Sequence, residues 1–216
     1  PGDKSISQRA IIFNSIAQGT AHVSNLCEGD DRTAILRCLR GLGVRIVKHS
    51  YCSVNQTEEC FEIHGHGMAG LSEPVGILNA GNSATSLRLV SGLLAAQSFF
   101  GIITGDRSLR ARPMTRIVRP LTEMGAQIMG RGDDSLAPLA IKGGNLKGIN
   151  FSSPIASSQV KSSILIAGLY ADGQTTVEQP IKSRDHTELM LRSMGADLKI
   201  DGPRISVRPS KLSPAH

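Results

Sequence analysis

The sequence predicts an α/β domain built from three copies of one unit of alternating helices and strands. The segment Leu39–Ile46 (Leu-x-x-Leu-Gly-Val-x-Ile) recurs in closely similar form at Leu121–Ile128 and at Leu191–Leu198. Each copy is typical of an amphipathic helix that ends at a C-cap glycine and continues into a strand. Because another helix and strand precede each copy, the unit is roughly 70–80 residues long, and three such units favour one closed, pseudo-threefold domain over a solenoid.

The elements follow from local patterns in each unit. Helical periodicity followed by a strand rich in Thr, Val or Ile predicts three helix–strand pairs: Arg9–Ala17 with Gly19–Val23, Leu87–Ala96 with Phe99–Thr104, and Val160–Ala171 with Gly173–Val177. The next helix of the first unit is predicted over Thr33–Leu42, with the acidic residues Glu28, Asp30 and Asp31 before it as caps.

Glycine-rich polar segments separate these elements. Gly65–Glu73 and Gly130–Gly148 are predicted to be hairpins or loops, with turns at Asp133–Asp134 and Gly143–Asn145. A turn at Gly202 precedes a final strand, Ile205–Val207. We therefore expect a single domain over residues 1–216, divided into units at approximately 1–75, 76–150 and 151–210.

Composition excludes several classes of protein. The chain of 216 residues is 19% charged with a mean hydropathy of −0.06, which is typical of a globular chain rather than a disordered one. No apolar run approaches the roughly 18 residues that span a bilayer, and the first residues lack a signal-peptide core. A cytoplasmic protein without membrane association is expected.

The cysteines predict neither a metal site nor a disulfide framework. Four are present, Cys27, Cys38, Cys52 and Cys60, and they lack the paired spacing of a zinc site. We expect them to be free, structural thiols. We expect no metal.

The charge balance predicts an anionic partner. Lys and Arg number 24 against 18 Asp and Glu, the net charge is +6, and the pI is 9.4. Aromatic residues make up 3% of the chain and Trp is absent, which disfavours base stacking on a nucleic acid. Small phosphorylated ligands are therefore favoured over nucleic acid or a membrane surface.

Small polar residues precede the first helix of every unit, at Gly2–Ser5, Gly81–Thr85 and Ala156–Gln159. Taken singly, each predicts an N-cap. Taken together under threefold symmetry, they bring three helix N-termini, with their unpaired amides and partial positive charge, towards one face. The nearby cations Lys4, Arg9 and Arg88 complete a predicted anion-binding site.

Two further cationic segments are candidates. Arg107–Arg116, with Arg119 beyond it, holds five arginines and is consistent with either a ligand site or a solvated face. The segment Lys182–Glu188 contains Arg184, which is predicted to clamp a phosphate. His186 in the same segment is predicted to be a structural, hydrogen-bonded group rather than a general base.

Five stretches resemble, in order and spacing, the 5-enolpyruvylshikimate-3-phosphate synthase family: Pro1–Arg9, Gly81–Arg88, Arg110–Arg116, Ser157–Lys161 and Arg184–Glu188. The family has two similar domains, and this chain resembles the first, with the second catalytic domain absent. The resemblance implies an inside-out α/β barrel-like domain, with helices inside and sheets outside. It also implies transfer of the enolpyruvyl group from phosphoenolpyruvate to shikimate 3-phosphate in aromatic amino acid biosynthesis, without metal or cofactor.

The resemblance also implies roles for individual residues. The group that binds shikimate 3-phosphate is Lys4, Ser5, Arg9, Ser157, Ser158, Gln159 and Arg184. The group that binds phosphoenolpyruvate is Lys4, Asn82, Ala84, Arg112 and Gln159. Lys4 is the implied catalytic residue. The implied partners are the small substrates and the second domain of the same enzyme, in a monomer.

Two departures from the family pattern have consequences. Ala84 replaces a glycine common in the family, which resembles the glyphosate-insensitive group, although Ser158 departs from that group's usual Ala. The family's catalytic carboxylates lie in the other domain, so the isolated chain is expected to bind substrate weakly and not to turn over.

Three alternatives remain open from the sequence. A UDP-sugar enolpyruvyl transferase domain is one, although its expected cysteine is missing from Gly105–Arg116. A basic nucleic-acid-binding module of the same fold is another. The third is a non-catalytic partner domain that complements a separately expressed second half.

Overall fold

The computed structural model describes residues 2–215 and contains three β-sheets that pack around three largely buried helices, Lys4–Ile16, Ala84–Ala95 and Ser158–Gly168. Each sheet lies within one predicted unit, except that the third sheet begins one residue early, at Asn150. This mixed α/β architecture confirms the predicted fold class. No helix of this part of the chain has the length and apolar character needed to cross a bilayer.

The first sheet is antiparallel throughout. The elements of this region are α1 (Lys4–Ile16), β1 (Gln18–Ser24), α2 (Asp30–Gly41), β2 (Arg45–His49) and β3 (Cys60–His66). The strand order is β1-β3-β2, with Gln18 opposite His66 and Arg45 opposite His64. Helix α1 begins at a cap in which the Asp3 carboxylate accepts a hydrogen bond from the Ile6 amide at 2.9 Å.

The second sheet has four strands in the order β4-β5-β7-β6. Its region contains β4 (Leu78–Asn79), α3 (Ala84–Ala95), β5 (Phe100–Thr104), a 3₁₀ turn (Leu109–Ala111), α4 (Thr115–Glu123), β6 (Gln127–Gly130), a short helical turn α5 (Arg131–Asp134) and β7 (Leu136–Lys142). β4 and β5 are parallel, so α3 is the crossover between them.

The third sheet repeats this plan in the order β8-β9-β11-β10. Its elements are β8 (Asn150–Ser152), α6 (Ser158–Gly168), β9 (Thr175–Glu178), α7 (His186–Ser193), β10 (Leu198–Asp201) and β11 (Arg204–Val207). β8 and β9 are again parallel across the helix α6. The first helices of the second and third regions, α3 and α6, thus each follow an edge strand of their sheet.

The repeated glycine motif has the same backbone structure in all three copies. Gly43, Gly125 and Gly195 have φ of 85°, 112° and 91°, a left-handed conformation that glycine adopts without steric cost. In each copy the amide after the glycine donates to a carbonyl five residues earlier, at 3.0, 3.1 and 2.9 Å. These are the hydrogen bonds of a Schellman C-cap, as predicted.

One part of the predicted loop Gly130–Gly148 is instead an internal strand, β7. Its alternating residues Ala137, Leu139 and Ile141 are fully buried. Pro138 disfavours a strand prediction because it has no N–H. The pairing registers with both neighbours start at Leu139, so this missing donor lies just outside the ladder. The predicted turns are present, since Asp133, Asp134 and Asn145 have positive φ.

The cysteine prediction is wrong for one pair. Cys52 and Cys60 form a disulfide, with their Cα atoms 5.5 Å apart, while Cys27 and Cys38 are free. The pairing arises because the chain reverses between β2 and β3 and makes a bridge between Cys52 and Thr57. Sequence spacing does not reveal this reversal.

The central helices α3 and α6 approach closely through a glycine. A Cβ placed on Gly92 would lie 2.3 Å from the backbone oxygen of Ser163. Ser163 Oγ donates to the Arg88 carbonyl across this contact at 2.9 Å, and Ser86, Ser91, Ser162 and Ser163 of the two helices are fully buried. The interior between the helices is therefore partly polar, and its groups must find hydrogen-bond partners there.

Candidate functional site

The N-terminus of α1 is tied to the second region through Asp31. The Lys4 ammonium lies 3.2 Å from Asp31 Oδ2, and Asp31 Oδ1 accepts a hydrogen bond from the Ser83 hydroxyl. Lys4 keeps 58% of its side chain exposed. One carboxylate thus holds the predicted catalytic lysine beside the residues that open α3.

This arrangement corrects the predicted role of the acidic cluster. Asp30 and Asp31 lie inside the first turn of α2, and the N-cap is Gly29, which makes no side-chain cap hydrogen bond. Carboxylates in a first turn still interact favourably with the helix dipole. Asp31 nevertheless directs its oxygens to Lys4 and Ser83.

Arg9 lies beneath this surface, with 2% of its area exposed. Its Nε donates to Thr187 Oγ1 at 2.6 Å, its Nη2 to Ser162 Oγ at 2.8 Å and its Nη1 to the Ser5 carbonyl at 2.9 Å. Burial lowers the pKa of the guanidinium to about 10, so the group remains charged at neutral pH. Arg9 therefore places a buried positive charge under Ser5.

Gln8, the neighbour of Arg9 in α1, forms hydrogen bonds with the N-terminal residues of α3. Its Nε2 lies 3.0 Å from Ser83 Oγ, 2.9 Å from Ser86 Oγ and 3.4 Å from Asp31 Oδ1. The side chain is 1% exposed. Adjacent residues of α1 thus contact both other central helices, Gln8 towards α3 and Arg9 towards α6.

The start of α3 is bounded by the arginine-rich segment. Asn82 Nδ2 donates to Asp106 Oδ2 at 2.7 Å, and Arg112 Nη2 donates to Asn82 Oδ1 at 2.9 Å. The hydrogen bond from Asn82 holds the pKa of Asp106 below its usual value. Ala84 is the first residue of α3 and is 8% exposed.

The other arginines of that segment divide between different surroundings. Arg107 and Arg110 line a separate cavity together with Arg131. Arg119 forms an exposed pair with Glu123 one helical turn away. Arg112 was the arginine of this segment predicted to bind phosphoenolpyruvate, and it contacts the start of α3 through Asn82.

Gln159 joins the second and third regions. It accepts a hydrogen bond from Arg88 Nη1 and donates from Nε2 to Thr85 Oγ1 at 2.9 Å. Desolvation lowers the pKa of Arg88 below its ordinary value. The amide of Gln159 is thereby fixed in orientation, because its carbonyl accepts from a cation and its nitrogen donates to a hydroxyl.

A cavity of about 450 Å³ opens at the N-terminus of α6. Four predicted site residues line it, Ser157, Ser158, Gln159 and Arg184, together with Arg88, Ala156, Lys182 and Ser183. The Ser157 side chain caps α6 by accepting from the Val160 amide. Hydroxyls, guanidinium groups and a helix N-terminus in one cavity form a site suited to a phosphate.

Arg184 connects this cavity to the first region. Its Nη1 lies 3.3 Å from Ser5 Oγ, so Ser5 stands between Arg184 and the buried Arg9. Lys182 forms an ion pair with Asp185 at 2.9 Å, and this contact raises the pKa of the lysine. The cavity wall is therefore strongly cationic.

His186 lies at the beginning of α7, with its Nδ1 3.9 Å from Asp3 Oδ1. It is 26% exposed and is separated from the cavity lining. The pKa of Asp3 is lowered, chiefly by the hydrogen bond from the Ile6 amide and to a lesser degree by His186.

Sequence reasoning missed the residues that hold the predicted ones in place. They are Gln8, Lys161, Ser162, Thr187 and Glu188. Asp31 and the segment that contains Ser83 and Thr85 were named from the sequence, but their hydrogen bonds to distant residues were not predicted. Lys161 and Glu188 ended two of the quoted family stretches, but no local pattern showed that they form a pair. Within residues 2–215 no three His, Cys, Asp or Glu side chains are grouped so as to hold a metal ion.

Comparisons with known proteins agree with this geometry. The family model described as EPSP synthase (3-phosphoshikimate 1-carboxyvinyltransferase) matches residues 1–216. A protein of that enzyme name from Alkaliphilus metalliredigens is 52% identical over 93% of this chain and 45% of its own length. Another from Geotalea uraniireducens is 49% identical over 99% of this chain and 48% of its own.

A solved structure shows the same fold. The EPSP synthase from Acinetobacter baumannii superimposes with a TM-score of 0.92 at 49% identity, covering 99% of this chain and 47% of that one. This chain thus spans about half the length of the relatives it matches. Because the family model matches residues 1–216 and these relatives share one enzyme name, the chain belongs to the EPSP synthase family.

Proposed function

We propose that this chain is the shikimate 3-phosphate-binding half of a 3-phosphoshikimate 1-carboxyvinyltransferase. The observation that supports it most is the cavity at the N-terminus of α6, where Ser157, Ser158 and Arg184 converge and Arg184 reaches Ser5. The enzyme name of the relatives describes transfer of a carboxyvinyl group to 3-phosphoshikimate, and the family resemblance implies phosphoenolpyruvate as the donor. The enzyme moves the enolpyruvyl group of phosphoenolpyruvate onto shikimate 3-phosphate and releases inorganic phosphate.

Shikimate 3-phosphate would lie between the cavity and α1. Its phosphate accepts hydrogen bonds from Arg184, Ser157 and Ser158, and the helix N-terminus adds favourable electrostatics. Its hydroxyl and carboxylate region faces Ser5, above the buried charge of Arg9. Three of the five N–H groups of Arg9 bond to protein atoms, so its fixed charge attracts this carboxylate from beneath Ser5.

Phosphoenolpyruvate would lie against the start of α3. Lys4, Arg112 and Gln159 surround this position, and Asn82–Thr85 form its wall. The substrate carries a phosphate and a carboxylate, and fixed cations stabilise such charge best when they are held in place before binding. Asp31 and Asn82 supply that preorganisation, because they orient Lys4 and Arg112.

The reaction proceeds by addition and then elimination. The substrate hydroxyl loses its proton as its oxygen adds to C2 of phosphoenolpyruvate, and the methylene carbon of phosphoenolpyruvate gains a proton to become a methyl group. Loss of a methyl proton and of phosphate then restores the double bond. Lys4, as the proposed catalytic residue, stabilises charge at the transferring group. The protons are moved by carboxylates of the second domain, and no metal or cofactor is required.

Because those carboxylates belong to the second domain, this chain alone is expected to bind substrate weakly and to form no product. The assay is phosphate release from both substrates, with the two halves mixed as the positive control. Measurable turnover by this chain alone would show that it contains a complete catalytic set.

The binding proposal is tested by titrating shikimate 3-phosphate into the chain and following the amides of Arg9, Ser158 and Arg184 by NMR. We expect these signals to shift together at millimolar ligand. Arg184→Met should abolish the shifts, and the matched control Arg119→Met, at an exposed pair, should leave them unchanged. No perturbation in the parent chain at that concentration would contradict an autonomous subsite.

We further propose that the enzyme is a cytoplasmic monomer whose partner is the second domain of the same enzyme. The substrates support the compartment, since small polyanions do not cross a bilayer unaided. Analytical ultracentrifugation of the two-domain protein tests the oligomeric state, and a stable dimer would contradict it.

A further inference from the structure

A buried ion pair lies directly behind the segment that closes the anion cavity. This segment, the strap, comprises residues 179–185. Lys161 of α6 and Glu188 of α7 have side chains 1% and 2% exposed, and Lys161 Nζ lies 2.5 Å from Glu188 Oε1. Neither side chain lines the cavity, and the proposed binding of either substrate assigns them no role.

Stability gives a weak reason for keeping such a pair. Desolvating two charges is costly, and apolar residues of similar volume are often equally stable in the same place. A further contact distinguishes this pair, because Lys161 Nζ also donates to the Arg184 carbonyl at 3.0 Å. The ammonium thus fixes the backbone of the residue whose guanidinium lines the cavity.

The strap is held to α6 at both of its ends. Gln179 Nε2 donates to the Ser157 carbonyl at 3.0 Å, and Ser183 Oγ donates to Gln179 Oε1. The Lys161 backbone amide bonds to the same Ser157 carbonyl at 3.1 Å. The N-terminus of α6, the strap and the buried ammonium therefore form one connected unit.

We infer that Lys161 is a positioning residue for phosphate binding, with Glu188 as its buried counterion. By holding the Arg184 carbonyl, it sets how far the Arg184 guanidinium stands from the hydroxyls of Ser157 and Ser158. The identity of the phosphorylated ligand rests on the proposed function, but the positioning role does not.

The test removes both charges of the pair together, so that neither Lys161 nor Glu188 is left buried without the other. The neighbouring Arg9 loses the charge of Glu188 but keeps its three hydrogen bonds. The double variant Lys161→Met, Glu188→Leu keeps comparable side-chain volume and loses the contact with Arg184. Dissociation constants are measured by NMR for inorganic phosphate, shikimate 3-phosphate and shikimate. We expect about tenfold weaker binding of the first two and a change of less than about twofold for shikimate.

The matched control is Arg32→Met, Glu59→Leu, which removes a partly buried pair at 2.9 Å in the first region and also the carboxylate that pairs with the exposed Lys48. It should leave all three dissociation constants unchanged. A purely structural role for Lys161 would weaken the binding of shikimate as much as that of phosphate. Equal losses for all three ligands would therefore overturn the inference.

A second measurement needs no variant, in case the double variant does not fold. In the parent chain, the ¹⁵N signal of the Lys161 ammonium should shift with phosphate at the same midpoint as the Arg184 Nε signal. An unchanged Lys161 signal at saturating phosphate would overturn the inference.

The two proposals fail in different ways. If the parent chain binds inorganic phosphate but not shikimate 3-phosphate, the proposed function is wrong, while the positioning role is still decided by the phosphate affinities of the double variant. If the parent chain binds neither ligand, no phosphate site exists for Lys161 to position, and the inference is overturned as well.

Discussion

The buried guanidinium of Arg9 gives the most quantitative prediction, because its cost and its contacts can both be assigned. Burial lowers its pKa to about 10, which means that the charged form is less favourable in the folded protein by about 3 kcal/mol. Its hydrogen bonds to Thr187, Ser162 and the Ser5 carbonyl contribute about 1.5–3 kcal/mol each, since the donor is charged. The three hydrogen bonds together therefore contribute more free energy than burying the charge costs.

Arg9→Met removes the cost and the bonds together. The difference is a net loss of about 2–6 kcal/mol in the free energy of unfolding. We expect a value in the lower half of this range, because Thr187 and Ser162 also bond to each other at 2.6 Å and keep that bond in the variant. A loss of about 3 kcal/mol lowers Tm by about 6–12 °C in a domain of this size.

The assay is urea and thermal unfolding followed by circular dichroism, because the chain has no Trp and only two Tyr. The matched control is Arg119→Met, at an exposed pair within one helix, which should cost less than about 0.5 kcal/mol. If Arg9→Met costs no more than that control, the three hydrogen bonds do not stabilise the interior.

Three further predictions concern other parts of the molecule. The pKa of Asp106 is lowered by its hydrogen bond from Asn82. The ionised carboxylate therefore stabilises the fold above the unfolded pKa of 3.8, and this stabilisation is lost as the pH falls. Between pH 5 and pH 2, the Tm of Asp106→Asn should fall less steeply than that of the parent chain. Closing the short loop between Cys52 and Cys60 should stabilise the fold by about 2.5 kcal/mol. A reductant should then lower the Tm of the parent chain but not that of the Cys52→Ala, Cys60→Ala variant. Ala84→Gly should strengthen glyphosate inhibition of the two-domain enzyme, because the Ala84 Cβ narrows the proposed phosphoenolpyruvate site. Ala95→Gly, at the other end of α3, is the control. Unchanged inhibition of the Ala84→Gly enzyme would contradict the proposed wall.

Features that depend on a few neighbouring residues were predictable from the sequence. The glycines at 43, 125 and 195 end their helices because each adopts a left-handed φ, and all three make the same cap hydrogen bond. The N-cap interactions of Asp3, Ser83 and Ser157 are likewise local. Since these caps open the three central helices, the positions of the helix N-termini could be predicted as well.

Features that depend on distant residues could not be predicted. Asp31 bonds to Ser83 across 52 residues, and Arg9 bonds to Thr187 across 178. A rule for helix caps considers only the nearest helix, and it therefore assigned Asp31 to α2. The strand β7 was missed for a related reason, because whether Pro138 is tolerated depends on where its neighbours begin to pair.

The polar interior explains why the site and the core cannot be separated in this domain. Helices α1, α3 and α6 are buried on nearly all sides, so their polar residues have no solvent-facing side to occupy. Those residues bond between helices instead, as Gln8 does with Ser86 and Arg9 with Ser162. The same bonds set the relative positions of the helix N-termini that form the anion site. Substitutions in this layer should therefore change stability and phosphate affinity together, whereas substitutions at exposed pairs such as Arg119 and Glu123 should change neither.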